Sequence, residues 1–512
     1  MTSSEIGICI SIVVYLAAMV VIGYFCSKKN NDSGDFYLGG RKLGPLVTAM
    51  SAEASDMSGW LLMGLPGVAL LIKGFSYGSI AEAVWTALGL ALGTYVNWLI
   101  VAKKLRRYSE AAGNALTVPE FFSNRFGDKS NILRAIGAVI IIVFFIPYTA
   151  SGFSACGKLF TSLFSLDYLP SMIVSAIVIV LYTTMGGFLA ASTTDLIQSI
   201  IMTGALAVIL IYGVVNAGGV GQVLSNVKAV PGYFSLVSQV SADGAVTPYN
   251  GLTIASTLAW GLGYFGMPHI LLRFMAIEDE KKLKLSRRIA SIWVVIAMFI
   301  AISIGVIGYS LVINNTVTDI TDGETIIVKI ASVISSHGFI PAIVAGLILA
   351  GILASTMSTA DSQLLAAASS ISEDIVQGLF KIKLSRKAAM IIARVTVIAI
   401  SLIGMFIARD ADSSVFKVVS FAWAGFGASF GPLVLLALFW RRSNKWGAFA
   451  GMVSGGITVF VWKFIVRPMG GLLDIYELLP AFIVSSLFIV IVSLLTKAPD
   501  KEITDVFDSV SK

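Results

Sequence analysis

Long, continuous apolar runs are the feature of this sequence that most restricts its fold. About 20 apolar residues cross a bilayer as a helix, whereas membrane strands are shorter and alternate in polarity. The runs therefore predict an all-α integral membrane protein with thirteen transmembrane helices. The predicted spans are residues 6–26, 45–72, 77–102, 133–162, 168–189, 195–217, 251–276, 289–313, 340–369, 388–408, 414–440, 447–466 and 477–496.

The composition agrees with a membrane location. Hydrophobic residues make up 57% of the 512 residues and charged residues only 13%, about half the roughly 25% of soluble domains. We predict one transmembrane domain over residues 1–497 and a short cytoplasmic tail over 498–512. Cys9, Cys26 and Cys156 lie in or near separate spans and show neither a disulfide framework nor metal-ligand spacing.

Basic residues predict the orientation of the chain. Of the 36 Lys and Arg residues, 26 fall in one set of alternate loops and in the tail. Because positive residues favour the cytoplasm, we expect the N-terminus outside and the C-terminus inside. Arg273 and Arg394 instead fall inside or at the end of spans. The 26 residues lie within 28–42, 103–134, 281–288, 381–387, 441–445 and 497–512.

Two predicted spans contain residues that break helices. Span two carries SAEASDMSGWLLMGLPG at 51–67, and span seven carries WGLGYFGMPH at 260–269. Gly and Pro free backbone carbonyls, which within a bilayer must line an enclosed cavity. Since these spans are five apart, we predict two five-helix repeats, about 45–217 and 251–440. Paired broken helices are typical of the substrate site of a secondary transporter.

Span two also carries two acidic residues at membrane depth. Asp56 lies between Ser55 and Ser58, and intramembrane carboxylates are costly and often mark ion paths. Their oxygens, together with freed carbonyls, suit a small alkali cation. The alternative is a structural carboxylate that bonds a neighbouring helix. For Glu53, one turn earlier, pairing with a lysine or a place at the membrane rim is the alternative.

Span nine supplies a second group of polar residues. Four of its hydroxyls fall at helical spacing and share a face. Single Ser and Thr residues usually bond their own backbone or join helices, but six polar residues in two turns exceed that habit. Asp195, near the start of span six, is a further buried acid, with helix N-capping as the alternative. The six residues are Ser355, Thr356, Ser358, Thr359, Asp361 and Ser362.

Aromatic residues accompany the break in span seven. Trp260 and Tyr264 are four residues apart; core packing is the alternative, but glycines beside them favour the wall of a small pocket. Tyr148 of span four is expected to face the same cavity. Gly427 and Gly431 of span eleven form a small-xxx-small pattern that close helix packing explains. No HExxH or P-loop signature occurs, and we do not expect an enzyme.

Five stretches of this sequence resemble the solute:sodium symporter family, and its proline branch more than its sugar or pantothenate branches. The likeness covers about residues 10–497. The resemblance implies an inverted-repeat core of the leucine-transporter type and sodium-coupled uptake of L-proline. The stretches are FYLGGRKLGP (36–45), SAEASDMSGWLLMGLPG (51–67), WGLGYFGMPHILLRFM (260–275), MSTADSQLL (357–365) and SFAWAGFGASFGP (420–432).

The resemblance also implies roles for individual residues. It places Asp56, Ser58 and Gly59 in the motif that sodium and substrate binding need, and Arg41 at a cytoplasmic position tied to coupling. The implied sodium ligands are the carbonyls of Ala54, Met57 and Ser355 and the hydroxyls of Ser358 and Thr359. The implied substrate pocket includes Trp60, Tyr148, Trp260, Tyr264 and Pro268.

Two positions depart from the family pattern. Glu53 replaces a small residue, and Asp361 replaces a hydroxyl residue. With Ser358, Ser362 and Asp195, Asp361 lies where some family members hold a second sodium ion. The sequence therefore leaves open whether one or two sodium ions accompany each proline.

We predict a cell-membrane transporter that imports L-proline by sodium symport through alternating access. The alternatives are uptake of another small amino acid or osmolyte, a membrane sensor that moves nothing, and a passive channel. The expected ligands are Na+ and L-proline, in contact with the lipid bilayer. Neither nucleic acid nor an obligatory protein partner is expected.

Overall fold

The structure is a computed structural model that describes residues 2–27, 33–72, 79–241 and 243–511. Three of the basic residues used to predict orientation, Lys28, Lys29 and Lys512, lie outside these ranges. Within them the chain is almost entirely helical, apart from one short hairpin between spans six and seven. The prediction of an all-α protein is thus confirmed in its main point.

The helices follow the apolar runs. The α-helices are α1 (Ser3–Ser27), α2 (Ser33–Leu38), α3 (Pro45–Asp56), α4 (Leu65–Ala69), α5 (Ile80–Val96), α6 (Ala102–Ala111), α7 (Val118–Arg125), α8 (Ile132–Phe164), α9 (Tyr168–Asn216), α10 (Val220–Lys228), α11 (Gly251–Leu258), α12 (Pro268–Ala276), α13 (Leu283–Ile313), α14 (Ile326–Ser335), α15 (Phe339–Ser369), α16 (Arg386–Ile407), α17 (Val415–Phe439), α18 (Lys445–Val461), α19 (Leu478–Leu495) and α20 (Lys501–Ser511).

Shorter elements join these helices. The hairpin pairs β1 (Ser238–Val240) with β2 (Val246–Pro248) in antiparallel register. The π-helical segments are Trp60–Gly64, Asn97–Val101, Ser370–Leu379 and Trp462–Val466. The 3-10 segments are Gly39–Arg41, Ala259–Phe265, Glu280–Lys282, Gly323–Thr325, Arg467–Met469 and Gly471–Leu473.

Ten helical segments of the described residues are long and apolar enough to cross a membrane. The predicted spans 45–72 and 251–276 are not among them because each is broken at mid-length. The predicted span 168–189 contains only the shorter apolar helix Tyr168–Leu181, and α9 turns at Gly187, whose φ is 73°. The chain is therefore a multi-pass helical membrane protein, while the number thirteen remains a prediction.

Side-chain caps explain where several helices begin. The Ser79 hydroxyl accepts from the Glu82 N–H at 3.1 Å before α5. The Asn444 side chain likewise accepts from the Gly447 N–H at 2.9 Å before α18. Such caps satisfy N–H groups that have no partner within the helix.

Helices α15 and α17 form the interior of the bundle. The most apolar window of α17 is 83% buried and that of the segment Phe339–Leu379 is 67% buried. The corresponding windows of α18 and α19 are only 28% buried, so these helices lie at the periphery. Polar side chains on α15 are therefore enclosed by protein and not by lipid.

Glycines let α5 pass very close to span seven. A Cβ at Gly89 would lie 2.5 Å from the Leu258 carbonyl oxygen, and a Cβ at Gly93 would overlap the backbone of Gly261. Only glycine fits such a contact between two backbones. The irregular part of span seven is thereby held against a regular helix.

A short backbone contact joins the start of span two to the end of span seven. Leu43 forms a parallel bridge with Ile277. The Leu43 N–H donates to the Ala276 carbonyl at 3.1 Å, and the Glu278 N–H donates to the Leu43 carbonyl at 3.0 Å. The segment that leads into α3 is therefore tied to the segment that leaves α12.

The tail folds as α20 and packs against the helices near α6. Phe507 contacts Tyr108 at 6.2 Å between ring centroids and lies 5.0 Å from the Arg125 guanidinium. Arg441 and Asp508 form an ion pair at 2.9 Å. The segment predicted as a short tail thus forms a helix that packs against α6 and α7.

Candidate ion and substrate site

The break after α3 releases a backbone carbonyl. In an α-helix the Ser58 N–H would bond the carbonyl four residues earlier, at Ala54. It donates instead to the Asp56 carbonyl at 2.8 Å. The Ala54 carbonyl accepts the Ser358 hydroxyl at 2.8 Å, so the break brings α3 and α15 together through this oxygen.

Hydroxyls of α15 extend this contact into a cluster of oxygens. The Ser358 hydroxyl also lies 3.1 Å from the Ser355 carbonyl oxygen, and the Thr359 hydroxyl donates to the same carbonyl at 3.0 Å. Four of the five oxygens that the resemblance implies for sodium therefore adjoin one another. Met57, which carries the fifth, is fully buried at the break. Uncharged oxygens of this kind fit a hard cation.

Asp56 lies at the same break with one oxygen unsatisfied. Its Oδ2 accepts the Tyr264 hydroxyl at 2.7 Å, which links the breaks of spans two and seven. Its Oδ1 is buried and has no hydrogen-bond partner among the described residues. Its carbonyl accepts Tyr148 Oη at 3.0 Å and Trp60 Nε1 at 2.9 Å. A buried anionic oxygen without a donor leaves room for a cation or an ammonium group.

The predicted aromatic residues gather around this carboxylate. The ring centroids of Trp60 and Trp260 are 6.4 Å apart. Tyr148 and Tyr264 both donate to Asp56, through its carbonyl and its carboxylate respectively. All four side chains are buried. The structure therefore brings four of the five predicted pocket residues together.

Pro268 and Ser58 have local roles in the described structure. Pro268 is the first residue of α12, where its missing N–H costs nothing. Ser58 is buried in the break itself. Gly59 is required there, since an added Cβ would lie 2.9 Å from the Ala155 Cβ.

Sequence reasoning missed Trp423 of α17. Its Nε1 donates to the Trp260 carbonyl at 2.7 Å, and its ring packs edge-on against Tyr264 at 5.1 Å. Tyr476 also stacks on Trp260 at 5.2 Å. The stretch SFAWAGFGASFGP contains Trp423, but the glycine pattern of this stretch indicates only close helix packing. That packing exists: a Cβ at Gly427 would lie 2.8 Å from the Gly263 Cα.

Glu53 neither pairs with a lysine nor lies at the membrane rim. It is 1% exposed, and its Oε1 accepts Thr94 Oγ1 and Trp98 Nε1, each at 2.9 Å. Both alternatives considered for Glu53 were therefore wrong. This carboxylate joins α3 to α5 and to the π-helical segment that follows it.

Asp195 is not a helix N-cap, because it lies eight residues inside the segment Gly187–Asn216. Its Oδ2 accepts the Ser51 hydroxyl at 2.6 Å and lies 3.2 Å from Arg273 Nη2. Ser362 also accepts from Arg273 Nη2, at 2.5 Å. The sequence places Arg273 within or at the end of a span but indicates no partner for it.

Asp361 has different neighbours. It accepts a hydrogen bond from the Thr183 hydroxyl of α9 and lines a recess with Gly23 and Leu365. The hydrogen bonds described for the three residues named for a second sodium ion therefore involve different partners. Asp195 and Ser362 meet at a guanidinium, and Asp361 hydrogen-bonds to α9.

Arg41 lies outside the membrane-spanning segments and joins several parts of that face. Its guanidinium donates to the Met275 carbonyl at 2.6 Å, to the Ala115 carbonyl at 3.0 Å and to Asn114 Oδ1 at 2.9 Å. Burial, with a smaller effect of nearby Arg106, lowers the pKa of Arg41 to about 10. It remains charged at neutral pH and holds the end of α12 to the loop after α6.

The sequence matches known transporters over nearly its whole length. A model of the sodium:solute symporter family matches residues 36–455. The high-affinity proline transporter PutP of Bacillus subtilis is 42% identical, covering 96% of this chain and 98% of that protein. The sodium/proline symporter of Haemophilus influenzae is 42% identical, covering 98% of this chain and 97% of that protein.

Solved transporter structures share the fold. A Na+-coupled sialic acid symporter in a substrate-bound outward-open state has a TM-score of 0.76 and 18% identity, covering 97% of this chain and 99% of that one. The nucleobase-cation-symport-1 family transporter Mhp1, in a closed conformation, has a TM-score of 0.56 and 12% identity, covering 93% and 99%. These neighbours have the leucine-transporter fold, which this chain shares.

Proposed function

This chain belongs to the sodium:solute symporter family, and we propose that it imports L-proline together with sodium. Relatives that are 42% identical over almost their full length are a proline transporter and a sodium/proline symporter. The observation that carries the proposal is the contact between the Ala54 carbonyl and the Ser358 hydroxyl. This contact lies at the same helix break as Asp56, whose surroundings include four aromatic residues.

The proposed sodium ion binds between α3 and α15. Its ligands are the carbonyls of Ala54, Met57 and Ser355 and the hydroxyls of Ser358 and Thr359. The two hydroxyls now donate to carbonyls at 2.8–3.1 Å, and with sodium bound they would turn their lone pairs to the ion. The ion thus fixes the break in span two.

The proposed proline pocket adjoins this cluster. Trp60, Tyr148, Trp260 and Tyr264 would enclose the ring, with Pro268 at the start of α12. The helix starts that follow the two breaks would face the proline carboxylate, since helix N-termini favour anions. Asp56 Oδ1, which lacks a donor among the described residues, is placed to balance the positive charge of the ion or of the imino group.

Coupling follows from the shared break. If sodium orders the residues around Asp56, proline binds more tightly, and proline must favour sodium equally because coupling is reciprocal. Alternating access then carries both ligands inward. The membrane potential contributes roughly 2.3 kcal/mol per charge for each 100 mV.

The proposal includes thirteen spans in one domain over residues 1–497, with inverted repeats over about 45–217 and 251–440. The backbone bridge between Leu43 and Ile277 supports equivalent positions for spans two and seven. The N-terminus is proposed outside and the C-terminus in the cytoplasm, on the side of the basic loops. Arg41, on that side, is proposed to couple the ends of spans two and seven.

Proline accumulation in proteoliposomes tests the function. We expect labelled proline to concentrate inside vesicles when an inward sodium gradient is applied, and not with potassium alone. Competition by a panel of amino acids and osmolytes would identify the substrate. Equal uptake with and without the sodium gradient would contradict sodium symport.

A double variant tests the position of the sodium site. In Ser358→Ala with Thr359→Ala we expect the sodium concentration for half-maximal uptake to rise at least tenfold, because two ligands are lost. The matched control is Ser369→Ala, whose hydroxyl donates at 2.8 Å to Ala366 within the same helix. An unchanged sodium requirement in the double variant would remove α15 from the site.

A further inference from the structure

Arg273 is a buried cation whose guanidinium bonds to its own helix and to three others. Its Nε donates to Ser51 Oγ of α3 at 2.9 Å, and its Nη1 donates to the His269 carbonyl of α12 at 2.9 Å. Its Nη2 reaches Asp195 of α9 at 3.2 Å and Ser362 of α15 at 2.5 Å. The side chain is 1% exposed. Every guanidinium nitrogen therefore has an oxygen partner.

This guanidinium lies one helical turn from the proposed sodium cluster. On α3, Ser51 precedes Ala54 by three residues, and on α15, Ser362 follows Ser358 by four. Residues three or four apart lie on one face of a helix. Between α3 and α15 there are therefore two possible cation positions, one turn apart. One is lined by neutral oxygens, and the other is filled by the Arg273 guanidinium.

The charges at these positions are balanced differently. Asp195 has an internal counter-charge in Arg273, although its Oδ1 has no partner among the described residues. The hydrogen bond to Asp56 comes from the neutral Tyr264 hydroxyl. Buried charges in proteins are paired with an opposite charge or coordinate a metal ion. Asp56 is thus expected to bind a cation from solution, whereas the counter-charge of Asp195 is Arg273, which is part of the chain.

We infer that Arg273 is a tethered cation that fills the position at Asp195 and so limits the cycle to one sodium ion per proline. This inference rests on the proposed function and adds the number of ions and the residue that sets it. Ser362 and Ser51, which could otherwise serve as oxygen ligands of a second ion, are occupied by the guanidinium. Arg273 is a positioning residue, since it touches neither proposed ligand.

The test is the ratio of labelled sodium to labelled proline that enters proteoliposomes. We expect a ratio of one for the wild type and for Arg273→Lys, which keeps the charge. In Arg273→Gln, Asp195 loses its counter-charge and the position opens to an external cation. We expect the ratio to rise toward two, or one proton to enter with each proline in addition to the sodium ion.

The double variant Arg273→Gln with Asp195→Asn is the matched control, because it removes both charges together. Its ratio is expected to return to one without added proton entry. An active Arg273→Gln variant that carries one sodium ion and no proton would overturn the inference. So would a ratio of two in the wild type.

Equilibrium binding of labelled sodium to the purified wild-type protein provides a measurement that needs no variant to fold. One ion per chain supports the inference and two overturn it. Failure of the proposed function is distinguishable, because a wild type that accumulates no proline in a sodium gradient overturns symport itself.

Discussion

At the scale of single residues, the partners of a buried carboxylate determine what it does. Glu53 has two neutral donors on one oxygen and joins helices. Asp195 has the guanidinium of Arg273. Asp56 has one phenol and a second oxygen without a partner among the described residues. Glu53 Oε2 and Asp195 Oδ1 also lack a partner among the described residues; Asp56 is distinguished by its place at the break in span two, where the Ala54 carbonyl and the Ser358 hydroxyl meet.

Replacing Asp56 by Asn is therefore expected to raise the sodium requirement of proline uptake sharply. The amide cannot supply the negative charge, and one ten-fold loss of affinity corresponds to about 1.4 kcal/mol. We expect at least a hundred-fold rise in the half-maximal sodium concentration, measured as initial uptake rate against sodium. Uptake at low sodium should be abolished.

The matched control for Asp56→Asn is Glu53→Gln, one helical turn away. Glutamine keeps the acceptor for Thr94 and Trp98, so we expect sodium dependence close to that of the wild type. If both variants shift the sodium curve alike, the effect of Asp56→Asn reflects buried charge in general and not a cation-linked role.

The residues of the site could be named from the sequence to a large extent, because polar groups within apolar runs are conspicuous. Asp56, Ser358 and Thr359 stand out in this way, and Tyr264 stands out as an aromatic residue beside glycines. In the structure Tyr264 donates to Asp56, and Ser358 donates to the Ala54 carbonyl at the same break. The partners of Asp195 could not be named. Arg273 is 78 residues away along the chain, and no local pattern indicates which acid a buried arginine meets.

At the scale of elements, the break in span seven depends on the absence of a side chain at Gly263. A Cβ there would overlap Trp423 Nε1, whose hydrogen bond to the Trp260 carbonyl holds α17 against the break. We expect Gly263→Ala to weaken proline binding at least ten-fold, because Trp423 or Trp260 must move. Binding of labelled proline to the purified protein at saturating sodium measures this.

Gly204→Ala is the control for that variant. Gly204 lies within α9 and an added Cβ meets no atom within 4 Å. Because alanine favours a helix over glycine by roughly 0.5–1 kcal/mol, we expect unchanged binding and equal or greater thermal stability. A Gly263→Ala protein that binds proline as tightly as Gly204→Ala would contradict the role given to Trp423.

Broken helices were predictable as elements because Gly and Pro mark them within apolar runs. The contact of Trp423 with span seven was not, because it depends on how α17 packs. The turn within α9 shows the same limit. Two predicted spans meet at Gly187 with a φ of 73° and almost no intervening loop, which hydropathy alone does not reveal.

At the scale of the whole molecule, ion pairs hold the membrane-external segments to the bundle. Asp128 precedes α8 and pairs with Lys445 at the start of α18, at 2.7 Å. Burial raises the pKa of Asp128, but hydrogen bonds from Lys445, Ser130 and the Leu133 N–H lower it more, so the pKa lies below its ordinary value. The ionised form therefore stabilises the folded state.

This shift sets the direction of a pH dependence. The stabilisation is present above the unfolded-state pKa of about 3.9 and is lost as the pH falls through that value toward the lower folded-state pKa. We expect Asp128→Asn to lower stability at pH 7 by about 1–2 kcal/mol. Its acid limb should be flatter than that of the wild type, measured as melting temperature in detergent between pH 7 and pH 3.

Asp500→Asn is the control at this scale, since Asp500 and Lys497 form an exposed pair at 2.9 Å. Exposed pairs contribute little, so the melting temperature and its pH dependence should match the wild type. Identical acid limbs in the wild type and Asp128→Asn would show that the pair with Lys445 does not stabilise the fold.

The bridge between Leu43 and Ile277 has a consequence for how the molecule can move. Two backbone hydrogen bonds, 3.0 and 3.1 Å long, fasten the entry to one discontinuous helix to the exit from the other. These two ends must therefore move together. Conformational change is then concentrated in the irregular middle parts of spans two and seven. The distance between two spectroscopic labels, one placed beside Leu43 and one beside Ile277, would then stay nearly constant throughout the transport cycle.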